Sequence, residues 1–433
     1  MKVLFLCGGN GKRMAPLTDD KFLLRFLGKT LLEHQMQIVL EAGLSNIILV
    51  CNPQNRERVK AIAERFPSAS IEIAVQEKPL GIANALESAA HLLNQELMIV
   101  NPNDIFDGTA YAALLKSRQQ GKAVSHILGY RVNSYFPGGY LVTNERGDLT
   151  GIVEKPGKGN EPSDMVNLLV HSHSDPGVLL SYISRVETEK DDIYERALDA
   201  MCKEGKPIHV VPYLGVWYAI KYPWNILDGV RYFLDRTEGY ISPTAQISSR
   251  AVIDGKVVIG DNARVLENAV IRGPVYIGPR TIIGNSTLVR AYSHIGADCV
   301  VGFATEIKGS YVGDSSWFHM NYVGDSVVGE HCNFGAGTIT ANWRFDEKTI
   351  SVRVSDNLVD TGMDKFGAII GDNCRTGINV SIMPGIKIGP NSIIGPSVYL
   401  TKDVESNTMM RVRSSARSIK ESFDPHRSRE EKA

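Results

Sequence analysis

The stretch AQISSRAVIDGKVVIGDNARVLENAVIRGPVYIGPRTIIGNSTLVRAYSHIGADCVVGFATEIKG, residues 245–309, decides the architecture of the C-terminal half. Ile247, Ile253, Ile259, Val265, Ile271, Ile277, Ile283, Val289, Ile295, Val301 and Ile307 follow one another six apart without a break. Neither the period of an α-helix nor the two-residue alternation of a lone strand produces that spacing. A short fixed period means that each repeat is one structural unit stacked on the last, and the six-residue version is the signature of a parallel β-helix. Three hexapeptides make one triangular coil, with the aliphatic side chain pointing into the prism. Glycine follows in Ile259-Gly260, Ile277-Gly278, Ile283-Gly284, Ile295-Gly296 and Val301-Gly302, where its conformational freedom is expected to turn the corner.

Toward the C-terminus the register breaks over 308–321 and resumes at Tyr322, Val328, Phe334 and Thr340. It yields to an insert over about 341–369 and returns at Ile370, Thr376, Ile382, Ile388, Ile394 and Leu400. An insert leaves a solenoid as a loop, and such loops often line binding surfaces. Residues 414–433 are charged and poor in apolar side chains, and read as a partly disordered end or a short surface helix.

Toward the N-terminus the pattern is different. KVLFLC (2–7), a glycine loop, TLLEHQMQIVLEAG (30–43), NIILVC (46–51) and NRERVKAIAERF (55–66) alternate strand and helix. Alternation of this kind predicts βαβ units and a mostly parallel, Rossmann-like sheet, with ligands at the carboxyl ends of its strands. The helical stretch YPWNILDGVRYFLDR (222–236) closes that unit. The expected organisation is therefore an α/β domain over 1–236, a β-helix over 237–413 and a tail over 414–433. A chain of 433 residues is too long for one core, which agrees.

Composition narrows the partners. With 47 basic against 48 acidic side chains, neither a nucleic-acid footprint nor a polybasic membrane patch is expected, and small molecules are. Cys7, Cys51, Cys202, Cys299, Cys332 and Cys374 are scattered without the close spacing of a zinc or redox motif, which suits free thiols in the cytoplasm. MKVLFLCGGNGKRM is apolar for only about one strand, too short for a signal-peptide core or a membrane span.

The first candidate site is FLCGGNGKRMAPLTDDK (5–21), which places Leu6, Gly8, Gly9 and Gly11 at a strand end, with Lys12, Arg13 and Lys21 following. Glycines let backbone N–H groups approach phosphates, and the cations neutralise charge on a triphosphate under attack. Together with QEKPLGIANAL (76–86), VNPNDIFD (100–107), the Glu154-Lys155-Pro156 run and MVNLLV (165–170), this loop resembles the sugar-1-phosphate nucleotidylyltransferases over about residues 1–235. The resemblance implies that Leu6, Gly8, Gly9, Gly11, Gln76 and Gly81 bind the nucleotide. It gives Gly139, Glu154 and Asn167 to the sugar phosphate, Arg13 and Lys21 to catalysis, and Asp104 to magnesium. Three positions depart from that family: Asp20 replaces a proline, Asn103 a glycine, and Ala219 an acidic or amide metal ligand. Mg²⁺ is commonly held by one carboxylate plus substrate phosphates and waters, so a single ligand is compatible with it. Ile82 resembles thymidylyl enzymes more than uridylyl ones, leaving UTP and dTTP both open.

The second candidate site comprises Arg290, Glu306, Lys308, His319, Tyr322, Asn333, Asn342 and Lys348. HMNYVGDSVVGEHCNFGAGTITANWRFDEK (319–348) is similar to the acetyltransferase half of bifunctional glucosamine-1-phosphate acetyltransferase/N-acetylglucosamine-1-phosphate uridylyltransferases, which have a left-handed β-helix. The resemblance implies His319 as general base, a role that a neutral imidazole suits near neutral pH. It implies Arg290, Lys308, Tyr322, Asn333 and Lys348 on the amino-sugar phosphate, Asn342 and Ala336 on acetyl-CoA, and a homotrimer. Ile378 stands near where that family commonly has serine. His294 and His331 are expected to be packing, while Trp317, Phe318 and Trp343 fit a subunit seam or a ligand equally. Two other readings stay open: a nucleotidylyltransferase whose β-helix is only a trimerisation scaffold, and a non-catalytic sugar-nucleotide-binding regulator.

Overall fold

The protein is described from a computed structural model covering residues 1–9, 11–189 and 192–413; the expectation for the 414–433 tail lies outside these described residues. The N-terminal elements are β1 Lys2–Cys7, α1 Leu31–Glu41, β2 Asn46–Cys51, α2 Arg56–Ala63, β3 Ser70–Val75, α3 Gly81–Ser88, β4 Leu97–Val100, β5 Asp104–Phe106, α4 Thr109–Gln120 and β6 Ser125–Arg131. They continue with β7 Gly139–Thr143, β8 Leu149–Glu154, β9 Met165–His173, α5 Pro176–Ile183, α6 Ile193–Lys203, β10 Ile208–Pro212, β11 Trp217–Ala219 and α7 Asn225–Asp235. The main sheet runs β8-β7-β9-β4-β1-β2-β3, with β6 pairing β9 and β10.

Only part of this sheet is parallel, which corrects the expectation. The pairs β4-β1, β1-β2 and β2-β3 are parallel, as the early strand-helix alternation requires. Beyond them the ladder turns antiparallel, because β7 and β8 form a hairpin and β9 runs back between β4 and β6. The last strand, β10, is again parallel to its neighbour β6. Hairpins need no crossover helix, so strand-helix counting past residue 120 does not reveal the direction of these strands. Val3, Phe5, Ile47, Leu49, Met98 and Val100 fill one side of the sheet and Leu4, Ile48, Val50, Leu97 and Ile99 the other, so both faces are covered.

From Tyr240 the chain winds through three parallel sheets of eight, nine and eight short strands. This is the left-handed β-helix expected of the repeat. Residues eighteen apart pair face to face, as Ile259 with Ile277 and Val265 with Ile283. The inward column of Ile259, Ile271, Ile277, Ile283, Val289, Ile295, Val301 and Ile307 is wholly buried. The register break does not interrupt the stack. Ile295 pairs with Val312 and Val301 with Phe318, so the coil there is one residue shorter, at the corner over 308–310. A second residue is lost at the corner over 319–321, where Ile307 pairs with Val323. Val323, not Tyr322, therefore points inward, and Tyr322 faces out: the sequence register is off by one there. Phe318 is likewise core, packed on Phe334 inside the prism. The insert is real, since Val328 pairs directly with Ile370 and a hairpin of Ser351–Val354 with Asn357–Asp360 stands outside the coil.

The corner glycines act differently from expectation. Positive φ falls two residues after the glycine, at Asn262, Arg280, Ser286, Asp298 and Ala304, while Gly260, Gly278, Gly284, Gly296 and Gly302 do not adopt it. What excludes a side chain is space: a Cβ on Gly278 would lie 2.5 Å from the backbone of Gly296 in the next coil, and one on Gly260 2.6 Å from Pro279. The glycines let coils stack at strand spacing.

One face of the prism is glued to the N-terminal domain. His294 is stacked between Tyr276 and Tyr311, with ring centroids 4.6 and 4.9 Å away, and Phe26 packs on Tyr311. Leu31, Ile226, Val230, Val327 and Ile369 belong to the same buried cluster. Arg25 meets Asp314 at 3.8 Å, Tyr292 donates to Asp235 at 3.0 Å, and Thr18 hydrogen-bonds Asp372. His294 and His331 are thus structural residues, the latter with its backbone N–H bonded to the Asp314 carbonyl at a corner.

Candidate active sites

The first site is a cavity of about 560 Å³ at the carboxyl ends of the parallel strands. Gly9, Gly11, Arg13, Lys21, Asp104, Gly139, Glu154 and Asn167 line it, which brings together eight of the residues to which the family resemblance assigns a role. Leu6, Gly8, Gln76 and Gly81 are not among its lining. Gln76 is buried, and its amide donates to the Gly81 carbonyl at 2.9 Å and Asn84 Oδ1 at 3.0 Å. A Cβ on Gly8 would fall 2.1 Å from Gln76 Oε1, so Gln76 braces the phosphate loop through a contact that only glycine permits. Asp20, in the usual place of a proline, accepts from Asn55 Nδ2 at 2.7 Å, and Asn55 also donates to the Cys7 carbonyl. These bonds anchor the turn that carries Lys21.

Asp104 opens β5 and pairs with Ala219 of β11, so the methyl of Ala219 stands opposite the carboxylate where a second metal ligand was expected. Trp217 Nε1 donates to Asp104 Oδ2 at 3.0 Å. Burial raises the Asp104 carboxyl from its ordinary value, opposed by that hydrogen bond and by Lys221 and Lys21. Burial likewise drives Lys21 down to about 8, with Arg13 adding to the effect and Asp104 opposing it.

Lys221, which sequence reasoning missed, lines the same cavity and is pushed down by burial to about 7, with Asp104 opposing the shift. Its ammonium donates to the Pro137 carbonyl at 2.6 Å and sits 3.4 Å over the Phe136 ring. The only sequence signal was a lysine two residues past Ala219, a spacing with no motif of its own. Two desolvated lysines and Arg13 beside the carboxylates of Asp104 and Glu154 make a site for a polyanion. For magnesium, the donor set is thin: among the described residues no group of three His, Cys, Asp or Glu side chains is placed to hold a metal. Asp104 alone fits an ion that arrives already bound to phosphate oxygens.

The second site is spread over an open surface. On one prism face Arg290 donates to Glu306 at 3.0 Å, and Glu306 pairs in register with Tyr322. Asp325, also unforeseen, joins Lys308 and Asn342: the ammonium and the amide nitrogen each lie 2.5 Å from its Oδ2, and Asn342 Nδ2 lies 3.2 Å from Tyr322 OH. Arg290, Lys308, Tyr322 and Asn342 therefore share one face and its network of polar contacts. His319 stands exposed at the shortened corner next to that face, its backbone N–H donating to Asn321 Oδ1 at 2.6 Å. Buried Asn321 holds the corner by donating to the Gly335 and Thr338 carbonyls. Ala336 occupies the same corner one coil on, Asn333 lies on the adjoining face beside Trp317, and Lys348 is exposed in the excursion before the hairpin. Within one chain these three residues and the His319 ring stay outside that network.

The fold and the two sites define a nucleotidyl transferase domain joined to a hexapeptide-repeat transferase. Residues 2–218 match the nucleotidyl transferase family, and residues 256–291 and 367–402 match the bacterial transferase hexapeptide repeats. The chain is 38% identical over 414 residues to the bifunctional protein GlmU of Methanococcus maripaludis strain C7, covering 95% of this chain and 97% of that protein. It is 32% identical over 417 residues to a bifunctional sugar-1-phosphate nucleotidylyltransferase/acetyltransferase of Sulfurisphaera tokodaii, covering 95% and 100%. A shorter relative, an uncharacterized acetyltransferase YaiX of Escherichia coli, is 40% identical over 167 residues, 38% of this chain and 73% of that one. The chain belongs to the nucleotidyl transferase family, and within it to the two-domain group of these bifunctional relatives.

Proposed function

We propose that the protein acetylates glucosamine 1-phosphate or galactosamine 1-phosphate with acetyl-CoA and transfers a nucleotidyl group from UTP or dTTP to a sugar 1-phosphate. The observation that carries the nucleotidyl reading is the cavity in which Gly9, Gly11, Arg13, Lys21 and Lys221 gather around the carboxylate of Asp104. The sugar-phosphate oxygen attacks the α-phosphorus in line, the new O–P bond forms as the α–β bridge breaks, and pyrophosphate leaves. Arg13, Lys21 and Lys221 neutralise the charge that grows on the departing phosphates, and Gly139, Glu154 and Asn167 hold the sugar. Leu6, Gly8, Gln76 and Gly81 shape the nucleotide side from behind the loop. Bound through Asp104 and the triphosphate, Mg²⁺ would supply further charge neutralisation.

On the β-helix the acceptor amine attacks the acetyl-CoA thioester, His319 takes the amine's proton, and coenzyme A thiolate leaves. Arg290 and Lys308 bind the 1-phosphate, Tyr322, Asn333 and Lys348 the sugar and its phosphate, and Asn342 with the Ala336 backbone the acetyl donor. Because this site lies open on one chain, the reading includes a homotrimer in which neighbouring prisms close it. Exposed Trp317, Ile339, Ile393, Tyr399 and Met409, on the two faces that the N-terminal domain leaves bare, support that assembly. The six cysteines are all free thiols, five of them buried, which supports a reducing cytoplasmic setting.

The test uses the full-length protein. Coenzyme A thiol release is measured with acetyl-CoA and each amino-sugar 1-phosphate, and pyrophosphate release with each nucleotide and the acetylated sugar 1-phosphates. Acceptor-dependent release in both assays is expected. Pyrophosphate release alone would reduce the β-helix to a scaffold, and neither would leave a binding protein.

A further inference from the structure

The sugar-facing wall of the first cavity rests on a chain of buried polar side chains that the transfer chemistry leaves unused. Ser125 Oγ lies 2.8 Å from His173 Nδ1, and His173 Nε2 lies 3.0 Å from Tyr194 OH. Tyr194 OH lies 2.7 Å from His171 Nδ1, and His171 Nε2 lies 2.7 Å from Asn167 Oδ1. Ser125, His171, His173 and Tyr194 are each at most 1% exposed, and Asn167 and Tyr194 both reach the cavity lining. Local structure brings the two ends together: the β9-β6 register shifts between Leu168 and His171, a bulge that turns residues four apart onto one another.

The direction of the hydrogen bonds follows from the donor inventory together with the orientation of the Asn167 amide, whose Oδ1 faces His171 Nε2. Burial holds His173 down at about 3 and His171 well below the ordinary value, so each ring is neutral and carries a single N–H. Asn167 Oδ1 can only accept, so His171 Nε2 donates to it. His171 Nδ1 is then a bare lone pair and accepts from the Tyr194 hydroxyl. The Tyr194 oxygen accepts from His173 Nε2–H, and His173 Nδ1 accepts from the Ser125 hydroxyl. An isolated asparagine turns its amide over at little cost, exchanging donor for acceptor. Here that turn would require every proton in the chain to reverse and both imidazoles to change tautomer inside the core.

We propose that Ser125, His173, Tyr194 and His171 are positioning residues that lock Asn167 with its carbonyl turned inward and its NH₂ presented to the cavity. The subsite then recognises an oxygen acceptor on the substrate, a carbonyl or a hydroxyl lone pair, and rejects a group there that can only donate, such as an ammonium. This inference rests on the reading of the cavity as a sugar 1-phosphate site.

Two measurements test it separately from that reading. In [¹⁵N]histidine-labelled full-length protein, with resonances assigned through His171→Gln and His173→Gln, both rings are expected as Nε2–H tautomers. Nδ1–H in both rings would mean the opposite polarity and overturn the proposal, whether or not any sugar phosphate is turned over. In kinetics, Tyr194→Phe cuts the chain at its centre without opening a cavity. It should raise KM for the sugar 1-phosphate about ten-fold, the loss of one aligned hydrogen bond, while KM for the nucleotide and kcat stay within about two-fold. Ser125→Ala, at the far end, should raise it about two- to three-fold. An unchanged sugar-phosphate KM in Tyr194→Phe would also overturn the relay. Absence of turnover with every sugar 1-phosphate in the unmodified protein would instead break the underlying reading.

Discussion

The two candidate sites use charge in opposite ways. In the N-terminal cavity Lys21 and Lys221 are partly buried and held down to about 8 and about 7, cations kept close beside the carboxylates of Asp104 and Glu154. On the β-helix, Arg290 is half-exposed and two of the cations each have an acid, Glu306 for Arg290 and Asp325 for Lys308. On the proposed reading the first arrangement is pre-organised for a highly charged ligand, because phosphates relieve a repulsion among cations that Asp104 and Glu154 offset only in part. The second is internally paired, and if it binds a phosphate as proposed it exchanges an internal partner for it, a trade that gains strength only where water is excluded. On the proposed reading, a site enclosed within one chain and a site completed by a second chain differ in their unliganded electrostatics.

The largest effect that would sharpen this contrast is expected from His319→Ala. Coenzyme A release should fall about 10²- to 10⁴-fold, the range for loss of a general base, with pyrophosphate release unchanged. Equal loss in both assays would mean that the sites are not separable. Lys221→Met should lower pyrophosphate release about 10²- to 10³-fold, as for other preorganised charge-stabilising groups, and leave coenzyme A release intact. A loss below about three-fold would make Lys221 a packing residue over Phe136. Next comes Trp317→Glu, which puts a charge on the bare prism face: sedimentation should show dissociated chains, with coenzyme A release down about ten-fold and pyrophosphate release retained. Retained assembly would move the seam elsewhere.

The smallest effect concerns the glued face. The His294 ring is buried, and burial holds it down to about 3, opposed by the Val312 backbone, against about 6.5 in an unfolded chain. Its contribution to stability is fully present above about pH 6.5 and is lost as pH falls toward 3, because the unfolded chain takes up the proton first. His294→Phe keeps the stack between Tyr276 and Tyr311 and removes the proton, so its melting temperature should decline less between about pH 7 and pH 5 than that of the unmodified protein. Parallel declines would assign the acid sensitivity to other buried groups, His173 among them.

Legibility in the sequence differed along the chain for physical reasons. The β-helix was readable because an inward residue every six positions is a one-dimensional constraint, and it failed only at Tyr322, because the third of three one-residue deletions falls after Val323. The glycines were found but misexplained, since the neighbour that excludes a Cβ at Gly278 lies in the next coil. Of the first site, eight residues converge on one cavity, whereas Gln76 turned out to brace the loop from behind. Lys221 and Asp325 escaped notice because each matters through a residue distant in sequence: Asp104 for one, Lys308 and Asn342 for the other.

By itself, then, the sequence determined the two-part architecture, the phosphate loop and the column of aliphatic residues, because each is written in contiguous or periodic positions whose burial follows from local geometry. Tertiary structure alone decided that β9 runs antiparallel, that one prism face is sealed against α7 and Phe26, and that His171 meets Asn167 across a bulge. Those are choices among partners far apart in the chain. They are made by which apolar surfaces and buried polar atoms satisfy one another in three dimensions, and no periodicity records them.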